Sequence, residues 1–226
     1  MKTLKISLLA FGVVFFFSPK HYSQSTFEGK VVIETTNDGE TNTLNYYSKG
    51  DMARFDVNSA RGEANVIFDK KNKKMLMVMP AMKMYMEFPM DMEFGGNYKA
   101  KGNDDASVKK MNMDFVKTGE MKNVNGYNCV KWIIKEDDGT SEAWMTKDLG
   151  SFIFFQSPMG GKEKTKWQED IEASGYFPML VIQKDSDGNE TGKFEVKSVE
   201  KKSLDDSFFS VPAGYNKMKM PMGGGK

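Results

Sequence analysis

Residues 127–145, with the sequence YNCVKWIIKEDDGTSEAWM, decide the fold class. Polar and apolar side chains alternate from Tyr127 to Lys135 and again from Ser141 to Met145. A period of two is typical of a β-strand with one buried face. Asp137-Asp138-Gly139 separates the two runs, and an Asp-Gly pair in that position is a strong signal for a hairpin turn. The stretch therefore predicts two antiparallel strands.

The same pattern recurs along the chain. An alternating run from Phe27 to Thr35 ends at Asn37-Asp38-Gly39, and Leu44 to Tyr47 continues the pattern. Pro178 to Lys184 and Gly192 to Val199 are separated by Asp187-Gly188-Asn189, a third turn with an Asp-Gly pair. Hairpins that follow one another in the chain predict a large meandering antiparallel sheet. Further strands are predicted at Met52 to Val57 and Asn65 to Phe68.

Several stretches break the alternation. Asp148 to Gln156 is apolar at a helical spacing, with Asp148 as the N-cap, and Lys162 to Ala173 has helical composition. Gly95 to Lys110 is rich in Gly, Asn, Asp and Lys, which predicts a long exposed loop. We therefore expect one α+β domain, mainly β, over residues 24–216, followed by a disordered tail at 217–226.

The N-terminus has the layout of a secretory signal. Met1 to Lys5 carries positive charge, Ile6 to Phe17 is apolar, and Ser18 to Gln24 is a polar exit. The apolar run is too short to span a bilayer. Because Ser23 is small, we expect cleavage before Gln24, and no cysteine stands there to take a lipid. The pattern predicts a periplasmic or secreted protein without a transmembrane segment.

Composition excludes several classes of function. His21, the single histidine, lies inside the predicted signal, so the mature chain lacks the side chain of Ser-His and Cys-His nucleophile pairs. Removing residues 1–23 takes away three lysines, which leaves 29 basic residues against 31 acidic ones. A net charge of about −2 does not favour nucleic acid. We expect a protein that is not an enzyme and has no cofactor, metal site or nucleic-acid partner.

The single cysteine, Cys129, lies within an alternating strand. It has no second cysteine with which to form an internal disulfide, although export would permit one. A thiol is reactive when it is an exposed thiolate, and no histidine is present to generate one. We therefore expect Cys129 to be buried and inert.

The chain has 19 methionines, and six of them form two rows on either side of Pro80-Ala81. A period of two places each row on one face of a strand, and a tight turn would put both rows on a common surface. Methionine fills irregular cores, lines adaptable cavities for lipid chains, or binds Cu(I) through its thioether. Neighbouring lysines, Lys74 and Lys83, argue against a cation site. The rows are Met75, Met77 and Met79, then Met82, Met84 and Met86.

Five short segments carry a resemblance to a known family: Thr118-Gly119-Glu120, Asn125 to Trp132, Ala143 to Thr146, Ser174 to Met179, and Asp206 to Tyr215. Together they resemble the exported bacterial family called domain of unknown function 4412, over most of the mature chain. That family is similar to the periplasmic lipoprotein carriers and outer-membrane receptors of the Lol system. The resemblance implies a curved antiparallel sheet, an incomplete barrel, with short helices over its concave apolar face. It implies no catalytic residues.

These observations predict an exported protein that binds an apolar ligand, a lipid or acyl chain, in the concavity of the sheet. Two alternatives stay open: a periplasmic Cu(I)-binding protein that uses Met-x-Met thioethers, and a structural or interaction module of the envelope. The pattern predicts no particular protein partner. The expected ligand-binding residues are Met75, Met77, Met79, Met84, Met86, Phe152 and Phe155.

Overall fold

Two meanders build one sheet in the computed structural model, which describes residues 27–37, 39–59, 62–90, 114–136, 139–153 and 171–218. The first meander contains β1 (Gly29–Asn37), β2 (Glu40–Lys49), β3 (Met52–Ser59), β4 (Gly62–Asp69), β5 (Lys74–Met79) and β6 (Met84–Pro89). The second contains β7 (Asp114–Val124), β8 (Tyr127–Glu136), β9 (Gly139–Thr146), β10 (Phe177–Asp185) and β11 (Glu190–Lys201). A short β12 (Asn216–Lys217) follows.

The two meanders join where β1 pairs antiparallel with β11. The resulting strand order is β12-β6-β5-β4-β3-β2-β1-β11-β10-β9-β8-β7. β12 lies parallel to β6, and the other neighbouring strands are antiparallel. The prediction of a large, mainly β, antiparallel sheet is therefore confirmed.

All three predicted hairpins with Asp-Gly pairs are present, as β1–β2, β8–β9 and β10–β11. In the last of these turns, Asp185 Oδ1 accepts hydrogen bonds from the backbone N–H groups of Asp187, at 3.0 Å, and Asn189, at 2.8 Å. Gly188 has a φ of 86°, in the left-handed region that favours glycine. The local turn chemistry thus produces the strand pairing that the sequence predicts.

The predicted helix from Asp148 to Gln156 is wrong in its described part. Residues 148 and 149 form a turn, and residues 150–153 have no regular secondary structure. Gly150 adopts a φ of 73°, which no α-helical residue has, so the chain cannot continue as a helix through this position. Residues 171–174, at the end of the second predicted helix, are α-helical. Two short 310-helices occur at Pro80–Met82 and Asp206–Phe209.

Some predictions fall on residues outside the described ranges: the signal at 1–23, the loop at 95–110, and most of the tail. Lys217 and Met218, the first residues of the predicted disordered tail at 217–226, have described positions along β6. The Met218 N–H donates a hydrogen bond to the Tyr85 carbonyl at 2.8 Å. In the described ranges, none of the helices has the length and apolar character needed to cross a membrane.

The C-terminal segment, residues 202–215, packs against one face of β2–β6, and residues 216–218 then lie along the edge strand β6. Leu204 and Phe209 are buried there against Ile67 and Val78. Arg54 Nη1 donates to the Phe208 carbonyl at 2.8 Å, and the Arg54 guanidinium lies 4.0 Å from the centre of the Phe208 ring. We call this face the outer face. It is closed by the chain itself, and the candidate site lies on the opposite face.

Candidate ligand-binding face

A row of directly opposed side chains crosses six strands on the inner face, the face opposite the C-terminal segment. Residues that oppose each other on neighbouring strands point to the same side of a sheet. Every member of this central row is at least 92% buried, because none exposes more than 8% of its surface. The central row is Val31, Tyr46, Phe55, Val66, Met77 and Met86, on β1 to β6 in order.

The sheet curves towards the inner face. The ring centres of Tyr46 on β2 and Phe177 on β10 are 5.4 Å apart. Two strands, β1 and β11, lie between β2 and β10. Three strand spacings in a flat sheet amount to about 14 Å, so side chains on these strands meet because the sheet bends. The inner face is therefore concave.

Phe152 fills the centre of this concavity. Its ring centre lies 5.5 Å from that of Tyr46 and 5.8 Å from that of Phe55. On the other side it lies 5.0 Å from the ring centre of Phe177 and 5.7 Å from that of Phe194. The Phe152 N–H donates to the Tyr176 carbonyl at 3.2 Å. The sequence placed Phe152 on a helix, whereas an irregular segment carries it into the core.

The two methionine rows share the inner face except for Met82, which lies in the 310-helix between the strands and is 58% exposed. Met75 opposes Phe88, Met77 opposes Met86, and Met79 opposes Met84. Met75, Met77 and Met86 are buried within the main hydrophobic cluster, whereas Met79 and Met84 are half-buried. The structure thus brings these five predicted residues onto one surface with Phe152. Phe155 lies outside the described residues.

The inner face is closed at one end and partly open at the other. The neighbouring row on one side of the central row is on the same face and is buried on all six strands. It contains Gly29, Ser48, Ala53, Phe68, Met75 and Phe88. The neighbouring row on the other side begins with Ile33 on β1, which is buried. The residues that continue this row on β2 to β6 are only half-buried. We call these five apolar residues the open row: Leu44, Val57, Ala64, Met79 and Met84.

The hydroxyl of Tyr46 is buried, and no described group makes a hydrogen bond of good geometry with it. Burial raises the pKa of this phenol well above its ordinary value of 10.0, a weaker hydrogen-bonding contact with the nearby Ser48 side chain offsets part of the rise, and the charge of Glu172 adds to it. Burial also lowers the pKa of Lys70, in the turn after β4, while Asp51 and Glu172 favour its charged form. Charged groups therefore lie near the closed end, and the neutral Tyr46 hydroxyl lies beside Ser48 on that side of the central row.

The described residues contain no group of three His, Cys, Asp or Glu side chains that could hold a metal ion. Cys129 is fully buried, and burial raises the pKa of its thiol to about 11. Glu142 is paired with Lys184 at 2.7 Å and Lys131 at 3.1 Å, and these hydrogen bonds lower the pKa of its carboxyl. Neither group has the intermediate pKa that suits general acid–base chemistry at neutral pH.

Sequence reasoning missed Tyr46, Phe177 and Phe194 as parts of the site. Tyr46 lies in a predicted strand beside Tyr47, and alternation alone shows that the two point to opposite faces without showing which face is concave. Phe177 meets Tyr46 only because of the long-range pairing of β1 with β11. No local signal in the sequence distinguishes these aromatic residues from ordinary core residues.

Residues 27–215 match the family described as "Domain of unknown function (DUF4412)". The chain belongs to this family. A comparison of the DUF4412 protein with curated proteins finds no match. Solved structures share its architecture, and they include an uncharacterized conserved protein from Thermus thermophilus. That protein is 8% identical, with a TM-score of 0.50 over 86% of this chain and 91% of its own. At this identity the likeness concerns the fold alone.

Two further structures are similar at lower scores. PNGF-II is 17% identical with a TM-score of 0.48, and the match covers 85% of the DUF4412 protein but 30% of PNGF-II. A putative outer membrane lipoprotein-sorting protein domain from Vibrio parahaemolyticus is 10% identical with a TM-score of 0.26, over 81% of this chain and 89% of that domain.

Proposed function

We propose that this DUF4412 protein is exported and binds a lipid or acyl chain along the open row of its inner face. The proposal rests on one observation: the open row lies directly beside the central row. Five half-buried apolar side chains on neighbouring strands border a fully buried apolar row. An acyl chain over the open row would remove the remaining apolar surface from water, which is favourable by about 25 cal/mol per Å².

Binding of a fluorescent long-chain acyl probe to the purified protein tests the proposal. Met79→Glu places a charge within the open row and should weaken binding at least tenfold, because a carboxylate disfavours contact with the hydrocarbon. Met82→Glu is the matched control, since Met82 lies in the turn between the same strands and is 58% exposed. Equal binding by the wild type and both variants would contradict the proposed site, provided that urea unfolding shows both variants to be folded.

A second candidate, Cu(I) binding, is favoured by the register of the methionine rows. Met77 opposes Met86 and Met79 opposes Met84, so four thioethers occupy adjacent positions on one face. Directly opposed Cβ atoms lie about 5 Å apart, and thioethers are soft ligands that suit Cu(I). Three of the five predicted methionines are nevertheless packed in the core, which favours the acyl ligand as the first candidate.

The triple variant Met75→Leu, Met77→Leu and Met79→Leu separates the two ligands. Leucine keeps volume and apolarity, so acyl binding should be largely preserved. Cu(I) binding should be lost, because leucine has no sulfur lone pair. Stoichiometric Cu(I) uptake that disappears in the triple variant, without acyl binding in either protein, would favour copper. The absence of both activities would favour a structural or interaction module.

A further inference from the structure

The orphan hydroxyl of Tyr46 calls for a physical explanation. Buried polar groups in folded proteins are paired in most cases, because an unpaired group loses its hydrogen bonds to water without replacement. Phenylalanine would fill the same space in the central row without that cost. Tyr46 is 0% exposed, and its ring packs against Phe55, Phe152 and Phe177. The Tyr46 ring therefore lies among the aromatic side chains at the centre of the inner face.

Phe152 packs its ring against the ring that carries this hydroxyl, with the two ring centres 5.5 Å apart. It belongs to residues 150–153, which have no regular secondary structure, and its ring occupies the space bordered by the rings of Tyr46, Phe55, Phe177 and Phe194. Moving one side chain would open an aromatic-lined space next to the Tyr46 ring. That space would continue the apolar surface of the central row.

We propose that the Tyr46 hydroxyl donates a hydrogen bond to the carbonyl oxygen of an acyl ester or amide, which reaches it by displacing the Phe152 ring. This inference rests on the proposed function and names the class of acyl ligand. The hydroxyl is a neutral donor, so a neutral acceptor such as a carbonyl oxygen suits it. A free carboxylate would bring an uncompensated charge into the same place, which costs far more than burying a carbonyl.

The charged groups near the site agree with a neutral ligand. The Glu172 carboxylate is close enough to influence both Tyr46 and Lys70, so it would repel a ligand carboxylate. Lys70 is the opposing charge, but Asp51 and Glu172 already interact with it. The Tyr46 hydroxyl thus favours an acyl ester or amide over a free carboxylate.

Tyr46→Phe tests the inference, because it removes one oxygen atom and keeps the ring. Two fluorescent probes of equal chain length are compared, a methyl ester and a hydrocarbon without a carbonyl group. The variant should bind the ester about fivefold more weakly, as expected for one neutral hydrogen bond, and bind the hydrocarbon as the wild type does. Tyr47→Phe, on the outer face, is the matched control and should leave both affinities unchanged.

Phe152→Leu provides a second readout. The smaller side chain should ease displacement and tighten binding of both probes, while Phe152→Ala should do so more strongly if it folds. Unchanged ester binding by Tyr46→Phe, or an equal loss for both probes, would overturn the inference and leave the proposed function standing. Failure of the wild type to bind either probe would overturn both.

Discussion

The rings of Tyr46 and Phe177 lie 5.4 Å apart although two strands separate β2 from β10 in the sheet. This contact links the first meander to the second across the concavity. Phe152 contacts both rings, so the three side chains form the aromatic centre of the inner face. The curvature of the sheet and the shape of the candidate site therefore depend on the same residues.

Phe177→Ala should lower the free energy of unfolding by about 3–5 kcal/mol, because it removes a buried ring and leaves a cavity in the centre of the concavity. Urea unfolding followed by circular dichroism measures the change. Val116→Ala is the control, since Val116 is 51% exposed on the edge strand β7 and its truncation should change stability by about 0.5 kcal/mol or less. A loss below about 1 kcal/mol for Phe177→Ala would contradict the central position of this ring.

Cys129 should react slowly with a thiol reagent in the native protein and rapidly after denaturation, because the thiol is fully buried. Its pKa is raised by burial from 9.0 to about 11. Between these values the unfolded chain releases the thiol proton and the folded chain keeps it. The contribution of this thiol to stability is therefore present below pH 9 and lost as the pH rises towards 11.

The matching measurement is urea unfolding at pH 8, 9 and 10 for the wild type and Cys129→Ala. The wild type should lose stability more steeply over this range, because the variant has no thiol to ionise. Burial also raises the pKa of Tyr46, but that contribution is common to both proteins. Parallel stability curves, or native labelling as fast as denatured labelling, would show that Cys129 is accessible.

Glu142→Gln should destabilise the protein by about 0.5–1 kcal/mol at pH 7, because it removes the carboxylate that pairs with Lys184 and Lys131. The pKa of the Glu142 carboxyl is lowered by these partners, so its contribution is present above the unfolded pKa of 4.5 and is lost as the pH falls through the folded value. Urea unfolding at pH 7 and pH 3 should show a smaller difference at the lower pH. An equal difference at both values would mean that packing, and not charge, explains the effect.

Arg54→Lys should loosen the C-terminal segment on the outer face. The planar guanidinium of Arg54 donates hydrogen bonds to both Asp56, at 2.7 Å, and the Phe208 carbonyl, at 2.8 Å. Lysine keeps the charge, but its single ammonium group cannot reproduce this geometry. We expect a loss of about 1–2 kcal/mol and faster amide hydrogen exchange at residues 204–211. Lys193→Ala, which removes a more exposed ion pair with Glu195, should leave that segment unchanged. Unaltered exchange in Arg54→Lys would contradict the anchoring role of Arg54.

The hairpins and the methionine surface could be predicted from the sequence because both depend on short-range rules. Asp-Gly pairs predicted three hairpins, and a period of two on each side of Pro80-Ala81 predicted that the methionine rows share a face, where Met77 opposes Met86. The joining of the meanders could not be predicted in the same way. It pairs Ile33 with Val196, and no local pattern specifies which distant strands meet.

The centre of the candidate site was the least predictable part. The apolar spacing of Leu149 and Phe152 fits a helix, but Gly150 lies between them in a left-handed conformation that ends regular structure. The unpaired hydroxyl of Tyr46 depends on what surrounds it in space, and a tyrosine in an alternating strand gives no sign of that. Positions that depend on tertiary contacts thus need the structure, whereas turns and faces of strands do not.

Paramagnetic broadening of methionine methyl signals tests the central claim most directly. The protein is labelled at its methionine methyl groups and titrated with a long-chain acyl methyl ester that carries a nitroxide on the chain. Signals of Met79 and Met84 are assigned by their substitution to leucine. Met82 and Met121, which are 58% and 72% exposed, serve as controls for non-specific contact with exposed methionines.

We expect saturable broadening of Met79 and Met84 at probe concentrations that leave Met82 and Met121 sharp. That result would place the acyl chain along the open row. Broadening of the two exposed methionines alone, or no saturable broadening of Met79 and Met84, would contradict the proposal that the inner face binds an acyl ligand.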